Sequence, residues 1–291
     1  MKKIEASELI INEDGSIFHL HLKPEQIADT VLLVGDPGRV EMIAAYFDSI
    51  EVEAANREFV AVTGNYKDKR VTVLSTGIGT DNIDIVVTEL DALANIDFET
   101  RTEKPTHKTL NLIRLGTSGS IQPEIEIGSF VASHISVGFD SLLTYYANRD
   151  SVALLDFETA FVEHMNWFKK LPTPYFVPAS NLLIKLFEDS TVEGMTVSAP
   201  GFYGPQGRVL RLQLWNPDQN EQIEKFEHKG KKITNFEMEG SALAGLSLLL
   251  GHNAITICTI IANRANKTAL VDYKDNVRKM VEITLEKILT L

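Results

Sequence analysis

An arginine between an apolar run and a glycine-rich stretch is the first indication of chemistry in this sequence. Residues 110–119 read LNLIRLGTSG; the apolar first half predicts a buried strand, and the second half predicts a glycine turn that carries two hydroxyl groups. A guanidinium is costly to bury without an anion, so Arg114 indicates an anion site at the carboxyl end of a strand, where open α/β sheets place their ligands. An ordinary β-turn whose arginine extends to solvent explains these residues equally well.

Two more arginines occur where anions are often bound. Arg39 follows the apolar run 31–35 and a proline-containing turn, so we expect a strand to lead directly into a helix whose free N–H groups favour an anion. Arg57 precedes another predicted strand. Each arginine alone is more typical of a protein surface. Brought together with Arg114, they would bind a dianion, at about 1.5–3 kcal/mol per charge-assisted hydrogen bond.

Carboxylates and amides supply two further candidate groups. Glu237 and Glu239 stand in a nearly apolar context. They are either helix-start carboxylates favoured by the helix dipole or groups that hold a sugar diol, because an ionised carboxylate accepts two hydroxyl bonds. Gln206 and Arg208 can read a planar polar heterocycle by hydrogen bonds, with Phe202 as a packing surface. Ordinary loop polarity is the simpler interpretation of the Gln206–Arg208 pair.

The elements that would position these residues alternate between strands and helices. Strands are predicted at 31–35, 59–63 and 71–75, in the first half of 110–119, and at 129–137, 233–236 and 254–262; helices are predicted after 36, after 79, over 241–250 and over 275–291. Such alternation predicts an α/β fold, a three-layer α/β/α sandwich around a mixed, mostly parallel central sheet. No run is typical of a linker, so residues 1–291 are expected to form a single domain. Within it, 97–109 is predicted to be a surface loop and 218–232 a charged helix, while 139–178 has no clear pattern.

Composition argues against several classes of function. A formal net charge of −12 makes non-specific nucleic-acid binding unfavourable. Cys258 is the one cysteine, so an internal disulfide is impossible and a reducing, cytoplasmic location is expected. We expect no membrane association, because neither a signal-peptide core nor an apolar run of membrane-span length is found. The seven histidines lack metal-ligand spacing, and P-loop, GxSxG and complete GxGxxG motifs are missing from the sequence.

Eight short motifs occur in order over most of the chain. They are Phe18-His19, Gly35-Asp-Pro-Gly-Arg39, Arg57-Glu-Phe59, Ser75-Thr-Gly-Ile-Gly79, Arg114-Leu-Gly-Thr-Ser-Gly119, Phe202-Tyr-Gly-Pro-Gln-Gly-Arg208, Phe236-Glu-Met-Glu239 and Asn263-Arg264. Together they resemble the nucleoside phosphorylases of the hexameric superfamily, and most closely the uridine phosphorylases. The similarity to the uridine enzymes depends mainly on the Gln206/Arg208 loop and on Asn263-Arg264.

The resemblance implies a role for each motif. Phosphate is expected to contact Gly35, Arg39, Arg114 and Thr117, with Arg57 supplied by a neighbouring subunit. Ribose is expected to contact Met238 and Glu239, with Glu237 in support and the neighbour's His19 at the 5′-hydroxyl. The base is expected to contact Phe202, Gln206, Arg208 and Arg264, with Ser118 and Gly119 as the wall beneath it. The expected catalytic residues are Arg114, Thr117, Glu239 and Arg208.

The implied reaction is the reversible phosphorolysis of uridine to uracil and ribose 1-phosphate, with inorganic phosphate as co-substrate and no cofactor. The subunits are expected to form a homodimer or a hexamer that shares active sites, with residues 1–28 at the interface. Some family members hold a potassium ion between subunits, near a glutamate that corresponds to Glu58 and a serine that Asn82 replaces here. No metal is therefore predicted, and a monovalent cation near Glu58 is left open.

Three other functions fit parts of the same pattern: a purine nucleoside phosphorylase, a nucleoside hydrolase of the same fold, and a non-catalytic nucleoside-binding protein. Purine enzymes of this superfamily usually carry an aspartate after the last core strand, where this chain has Asn263, which favours a pyrimidine. A hydrolase needs no dianion site, so Arg39, Arg57 and Arg114 count against it. Complete phosphate and ribose motifs count against a simple binding protein.

Overall fold

Strands and helices alternate along the computed structural model, which describes residues 2–291. The strands are β1 (Thr30–Val34), β2 (Ser49–Asn56), β3 (Phe59–Tyr66), β4 (Lys69–Ser75), β5 (Ile96–Asp97), β6 (Thr102–Glu103), β7 (Asn111–Ser120), β8 (Phe130–Gly138), β9 (Tyr175–Pro178), β10 (Val192–Ser198), β11 (Glu227–His228), β12 (Lys231–Lys232), β13 (Asn235–Glu237), β14 (Asn253–Asn263) and β15 (Thr268–Ala269). The helices are α1 (Gly38–Ala44), α2 (Thr80–Asn95), α3 (Leu155–Met165), α4 (Asn181–Phe187), α5 (Gln219–Lys225), α6 (Gly240–Leu250) and α7 (Lys274–Ile288). Among the described residues, no helix combines the length and apolar character needed to cross a membrane.

One mixed sheet of eleven strands forms the centre of the molecule. Its order is β15-β14-β8-β10-β13-β7-β1-β4-β3-β2, with β9 paired to β8. Two groups of strands are parallel within themselves: β4, β1, β7 and β14 form one, and β8, β10 and β13 form the other. The groups meet in the antiparallel pairs β14–β8 and β13–β7. Because β14 also pairs with β7, five strands close into a ring around the middle of the sheet.

Helices cover both faces of the sheet, as the alternation along β1 shows. Val31 and Leu33 of this strand pack into a core with helices α2 and α6, while Leu32 and Val34 pack into a core with α1, α4 and α7. All four side chains are fully buried, and each contributes roughly 1.5–3 kcal/mol by leaving water. The predicted three-layer α/β/α architecture around a mixed sheet is therefore confirmed.

The glycine turn predicted after Arg114 is wrong, because strand β7 continues to Ser120. Gly116 stays in the ladder opposite Cys258 of β14. A side chain at Gly116 would place its Cβ 2.4 Å from Nη1 of Arg114, so glycine serves here to admit the arginine rather than to turn the chain. The strand end expected beside Arg114 belongs to the neighbouring β1, where Leu33, the partner of Arg114, is the next-to-last residue.

Four other segments differ from the sequence prediction. The predicted loop 97–109 contributes to the β5–β6 hairpin, and 139–178 contains α3 and β9. The predicted helix 218–232 is helical only in its first half, because Lys229 and Gly230 adopt positive φ values of 50° and 73° and turn the chain between β11 and β12. Strand β2 was not predicted, since it lies at an edge of the sheet and carries mainly exposed and half-buried residues.

Candidate active site

Arg114 is buried in the middle of β7 against two carboxylates. Its Nη2 donates to Oε2 of Glu239, and its Nη1 lies 3.4 Å from Oε2 of Glu237. Burial alone would lower the pKa of Arg114, but the two carboxylates outweigh burial and raise it, so the guanidinium keeps its charge. Within residues 2–291, the buried Nε and Nη1 of Arg114 have no hydrogen-bond partner. These two nitrogens therefore keep unused hydrogen-bond donor capacity.

Glu237 has a fixed environment. Its carboxylate accepts hydrogen bonds from the hydroxyl of Ser198 at the end of β10 and from the backbone N–H groups of Glu239 and Gly240, both at 2.9 Å. These amides begin helix α6, so Glu237 is a helix-start carboxylate, as the simpler interpretation predicts. It also serves as a counter-ion for Arg114. With its oxygens occupied by these donors, Glu237 is poorly placed to hold a sugar as well.

Glu239 has fewer hydrogen-bond partners than Glu237. Its Oε1 accepts the backbone N–H of Gly79 at 2.8 Å, and its other oxygen is held by Arg114. Burial raises the pKa of Glu239; Arg114 opposes this increase and Glu237 adds to it. Met238 stands half-buried between the two glutamates. One oxygen of Glu239 is thus held by a side chain, whereas backbone amides and Ser198 hold Glu237.

Gly35 lies close to this centre, and Thr117 lies three residues beyond Arg114 on the same strand. A Cβ built on Gly35, the residue after β1, would lie 3.9 Å from Nη2 of Arg114 and 3.3 Å from the carbonyl oxygen of Gly77. Thr117 is half-buried in β7, opposite Thr259 of β14. The structure thus gathers one cation, two carboxylates and two glycine turns.

Among residues 2–291, the other two predicted phosphate ligands form no hydrogen bond with this cluster. Arg39 is half-buried in the first turn of α1, and Arg57 is exposed in the two-residue turn between β2 and β3, with a φ of 54°. Within residues 2–291, the arginines that form ion pairs are Arg70, Arg114, Arg149 and Arg278. Arg39 and Arg57 are not among them, so their charges remain available to a ligand.

The loop after β10 is ordered around Gln206, whose side chain is only 3% exposed. Its Oε1 accepts from Nη1 of Arg208 at 2.6 Å, and its backbone oxygen accepts from Nη1 of Arg264. Arg208 lies over the ring of the half-exposed Phe202, 3.7 Å from the centroid. Burial lowers the pKa of Arg208; burial and the neighbouring Arg208 lower that of Arg264 to about 10, which leaves both charged at neutral pH. The Gln206–Arg208 pair is thus an ordered contact within the loop, and Arg264 joins this loop to the end of β14.

Strand pairing connects the loop to Arg114. Gly119 of β7 lies opposite Phe236 of β13, and the guanidinium of Arg264 lies 5.3 Å from the centre of the Phe236 ring. Ser118 accepts a hydrogen bond at 2.9 Å from Asn235, the residue before Phe236. The sheet therefore places Ser118 and Gly119 on the same strand as Arg114, beside the strand β13 that ends at Glu237.

Comparison with known proteins identifies the family of this chain. A family model described as the phosphorylase superfamily matches residues 29–290. The chain belongs to the phosphorylase superfamily. The uridine phosphorylase of Thermococcus kodakarensis is 30% identical over 273 residues, which cover 91% of this chain and 83% of that relative. The purine nucleoside phosphorylase, DeoD-type, of Bacillus cereus is 28% identical over 273 residues and covers 92% and 97%.

A solved structure agrees with this placement. The Trypanosoma brucei nucleoside phosphorylase, described as showing uridine phosphorylase activity, matches with a TM-score of 0.84 and 29% identity over 97% of this chain and 100% of that one. The resemblance to nucleoside phosphorylases is therefore confirmed. This member of the superfamily is an enzyme, of the class that transfers pentosyl groups.

His19 forms its hydrogen bonds with Glu89 and Asn56 instead of with the residues around Arg114. Its Nδ1 is 2.6 Å from Oε1 of Glu89 on helix α2, and its backbone oxygen accepts from Asn56 at 2.9 Å. Asn56 directly precedes Arg57, so the two residues that the resemblance assigns to a neighbouring subunit lie on one face. Neither is hydrogen-bonded to Arg114 or Glu239 among the bonds of residues 2–291.

The residues at Glu58 do not fit a bound monovalent cation. Nδ2 of Asn82 donates to Oε1 of Glu58 at 3.1 Å. A Cβ on Gly77 would lie 2.4 Å from the same Nδ2, so the amide is packed between the glutamate and the turn. An alkali cation needs oxygen ligands, whereas this amide directs an N–H donor at the carboxylate.

Sequence reasoning missed a cluster of three titratable side chains at the other end of the sheet. Asp91, His107 and His252 lie with one potential ligand atom each within 4.8 Å of one another. Nδ1 of His252 accepts the backbone N–H of Leu110 at 3.1 Å, so its Nε2 carries the proton and donates to Asp91 at 3.1 Å. That proton occupies the lone pair a metal would need, and the cluster is a hydrogen-bonded clamp between helix and strands.

A cavity of about 680 Å³ lies beside the Gln206 loop. Trp167, Gly204 and Pro205 contribute to its wall, and Phe168 and Trp215 in that wall stack with ring centres 4.3 Å apart. Its lining contains neither the buried arginine nor the glutamates of the candidate site. The cavity is therefore separate from the cluster that the sequence identifies.

Proposed function

We propose that the chain is a uridine phosphorylase, which converts uridine and phosphate reversibly into uracil and ribose 1-phosphate. The observation that carries this proposal is the buried Arg114, with two unpartnered donor nitrogens, beside Glu239 and the donors of the Gln206 loop. Such a centre combines an anion-binding site, a carboxylate that accepts hydrogen bonds from a sugar diol, and hydrogen-bond donors that recognise a base.

Phosphate would bind to Arg114, Thr117 and the backbone at Gly35, with Arg39 at the helix N-terminus and Arg57 from a partner subunit. The charge of the dianion offsets these cations. A phosphate oxygen forms a bond to C1′ as the bond from C1′ to N1 of the base breaks, and the electron pair leaves with the base. The sugar becomes positively charged in between, so a held dianion stabilises the transition state as well as acting as nucleophile.

Ribose would bind through its 2′- and 3′-hydroxyls to Glu239, over Met238. Among residues 2–291, two partners hold Glu239, Gly79 and Arg114, so Glu239 would exchange its bond to Arg114 for the sugar hydroxyls. Glu237 would stay in place and keep Arg114 oriented, since Ser198 and two backbone amides hold it. Glu239 would thus accept hydrogen bonds from the sugar, and Glu237 would remain the fixed counter-ion of Arg114.

The base loop favours uracil on chemical grounds. Because Oε1 of Gln206 accepts from Arg208, its Nε2 is left as a donor, and Arg208 supplies further donors. Two donors match the two carbonyl oxygens of uracil, whereas cytosine presents an amino group at one of these positions. Arg208 would also stabilise the negative charge of the departing base. Ser118, Gly119 and Arg264 complete the pocket around it.

The purine alternative has support from the Bacillus cereus relative, and the end of β14 argues against it. Asn263, where an aspartate would protonate the base, donates its amide to the backbone oxygens of Gln122 and Ile125 at 2.9 and 2.8 Å. It acts as a structural brace and holds no proton for a leaving purine.

Oligomer and location are part of the proposal. Among residues 2–291, neither His19 nor Arg57 is hydrogen-bonded to Arg114 or Glu239, which supports a homodimer or hexamer whose sites take both residues from a partner. The chain would act as one domain, with residues 1–28 at that interface. The buried, free Cys258 is compatible with a reducing cytoplasm. We propose no cofactor and no metal.

One assay tests the function. The protein is incubated with uridine, thymidine or inosine, with and without phosphate, and base release is followed. We expect uracil release that requires phosphate and yields ribose 1-phosphate. Release without phosphate would instead identify a hydrolase, release from inosine alone a purine enzyme, and no release a binding protein. Sedimentation of a fully active monomer would contradict the shared site.

A further inference from the structure

Helix α2 holds His19 with a single carboxylate. Oε1 of Glu89 lies 2.6 Å from Nδ1 of His19, and both of its oxygens lie 3.1 Å from the backbone nitrogen of the same residue. The backbone N–H of Leu20 donates to Oε2 at 2.9 Å. The side chain of Glu89 is only 12% exposed. One partly buried carboxylate therefore contacts two backbone nitrogens and one ring nitrogen of a short segment.

These bonds determine which ring nitrogen of His19 is free. An ionised carboxylate only accepts, so Nδ1 must carry a proton and Nε2 is the nitrogen left for another partner. The ring also has edge-on contacts with Phe18 and Phe59, at centroid distances of 4.7 and 6.3 Å. Asn56 holds the backbone oxygen of His19 at 2.9 Å. Hydrogen bonds to the backbone and to Nδ1 of His19, together with the two aromatic contacts, therefore fix the orientation of the ring.

We propose that Glu89 is a positioning residue that fixes the tautomer and direction of His19, so that Nε2 meets the ribose 5′-hydroxyl of a nucleoside bound in the partner subunit. Glu89 touches no substrate and acts through His19. The inference rests on the proposed function, because that function brings a 5′-hydroxyl to His19. Its consequence is selectivity between nucleosides that carry a 5′-hydroxyl and those that lack one.

The test compares uridine with 5′-deoxyuridine at saturating phosphate. In Glu89→Gln, an amide N–H₂ replaces one acceptor oxygen and faces the donors of residues 19 and 20. We expect KM for uridine to rise about tenfold with kcat changed less than twofold, and kcat/KM for 5′-deoxyuridine to stay within twofold of wild type. The preference for uridine should fall to that of His19→Ala, and the double variant should lose no more.

Asp91→Asn is the matched control. Asp91 lies on the same helix and accepts from a different histidine, His252, so the variant weakens a similar pair without reaching His19. It should keep the wild-type preference even if its thermal stability falls. An equal loss on both substrates in Glu89→Gln, or an unchanged preference, would overturn the proposal.

Two further observations keep the test decisive. If wild-type protein releases no uracil from uridine with phosphate, the proposed function itself fails, and this is seen before any variant is compared. If Glu89→Gln does not fold, ¹⁵N chemical shifts of wild-type histidines still decide, with the His19 signals identified by their loss in His19→Ala. A protonated Nδ1 is expected, and an unprotonated Nδ1 would overturn the proposal.

Discussion

Nη1 of Arg114 lies 3.4 Å from Oε2 of Glu237, and the two side chains are only 6% and 1% exposed. A buried charge pair of this kind is stable only where further hydrogen bonds satisfy both partners. Ser198 and two backbone amides do this for Glu237, whereas two nitrogens of Arg114 remain unpartnered among residues 2–291. The pair is therefore complete on its carboxylate side and incomplete on its guanidinium side, which is the side an anion would fill.

Replacing Arg114 with alanine should remove most of the phosphate-dependent rate. Loss of two charge-assisted bonds, at about 1.5–3 kcal/mol each, corresponds to a decrease in kcat/KM for phosphate of roughly 10²–10⁴-fold. Steady-state kinetics with phosphate varied would measure it. Near-wild-type kinetics would remove Arg114 from the site.

The same substitution leaves Glu237 and Glu239 buried without a cation, so unfolding must be followed in parallel. Breaking a buried pair typically costs about 3–5 kcal/mol. Arg278→Ala is a control, because Arg278 forms an exposed i,i+3 pair with Asp275 and should change neither rate nor stability measurably.

Gln206→Glu should separate base recognition from loop structure. The glutamate keeps the oxygen that accepts from Arg208 and loses the Nε2 donor, so the loop should stay ordered while uracil binding weakens. We expect KM for uridine to rise about tenfold or more, with KM for phosphate within twofold of wild type. Gln206→Ala, which also loses the contact with Arg208, should be at least as impaired. Unchanged uridine kinetics in both variants would exclude Gln206 from the base site.

Cys258 should make stability fall at alkaline pH. Burial raises the pKa of its thiol from 9.0 to about 12, despite the opposing charge of Arg114. Because the pKa is higher in the folded state, the contribution of the neutral thiol to the free energy of unfolding is complete below about pH 9. It is lost as the pH rises toward 12, because over this range the thiol ionises in the unfolded state and stays neutral in the folded state. Between pH 8 and pH 10, wild type should lose about 1.4 kcal/mol more than Cys258→Ala. Denaturant unfolding at both pH values measures this difference, and parallel losses would contradict the buried neutral thiol.

Potassium should have little effect on this protein because Asn82 directs a donor at Glu58. Wild-type activity should change less than twofold when potassium chloride is replaced by tetramethylammonium chloride at equal ionic strength. Asn82→Ser removes that donor and offers an oxygen, so it should show a potassium-dependent increase in Tm. A specific stabilisation of the wild type by potassium would show that the Asn82 amide moves aside.

Buried strands such as β1 and β14 and amphipathic helices such as α7 could be predicted from the sequence, because their apolar patterns are strong and local. It failed at Gly116, since glycine favours a turn locally and the close approach of Arg114 to β14 is a tertiary contact. The need of Arg114 for an anionic partner followed from chemistry, but the fixed role of Glu237 required Ser198, which reaches it from another strand. The Asp91, His107 and His252 cluster had no sequence signal, because only the topology brings these residues together.

The pairing of β7 with strands that follow much later has a consequence for synthesis. Arg114 and Glu239 are separated by 125 positions along the chain. At about 5–20 residues per second, a ribosome needs roughly 6–25 s to supply the second after the first. During that interval the arginine has neither of its carboxylates, and β7 lacks two of its three neighbours, β13 and β14. A nascent chain stalled before residue 235 would therefore expose an unpaired, aggregation-prone edge of β7 beside Arg114.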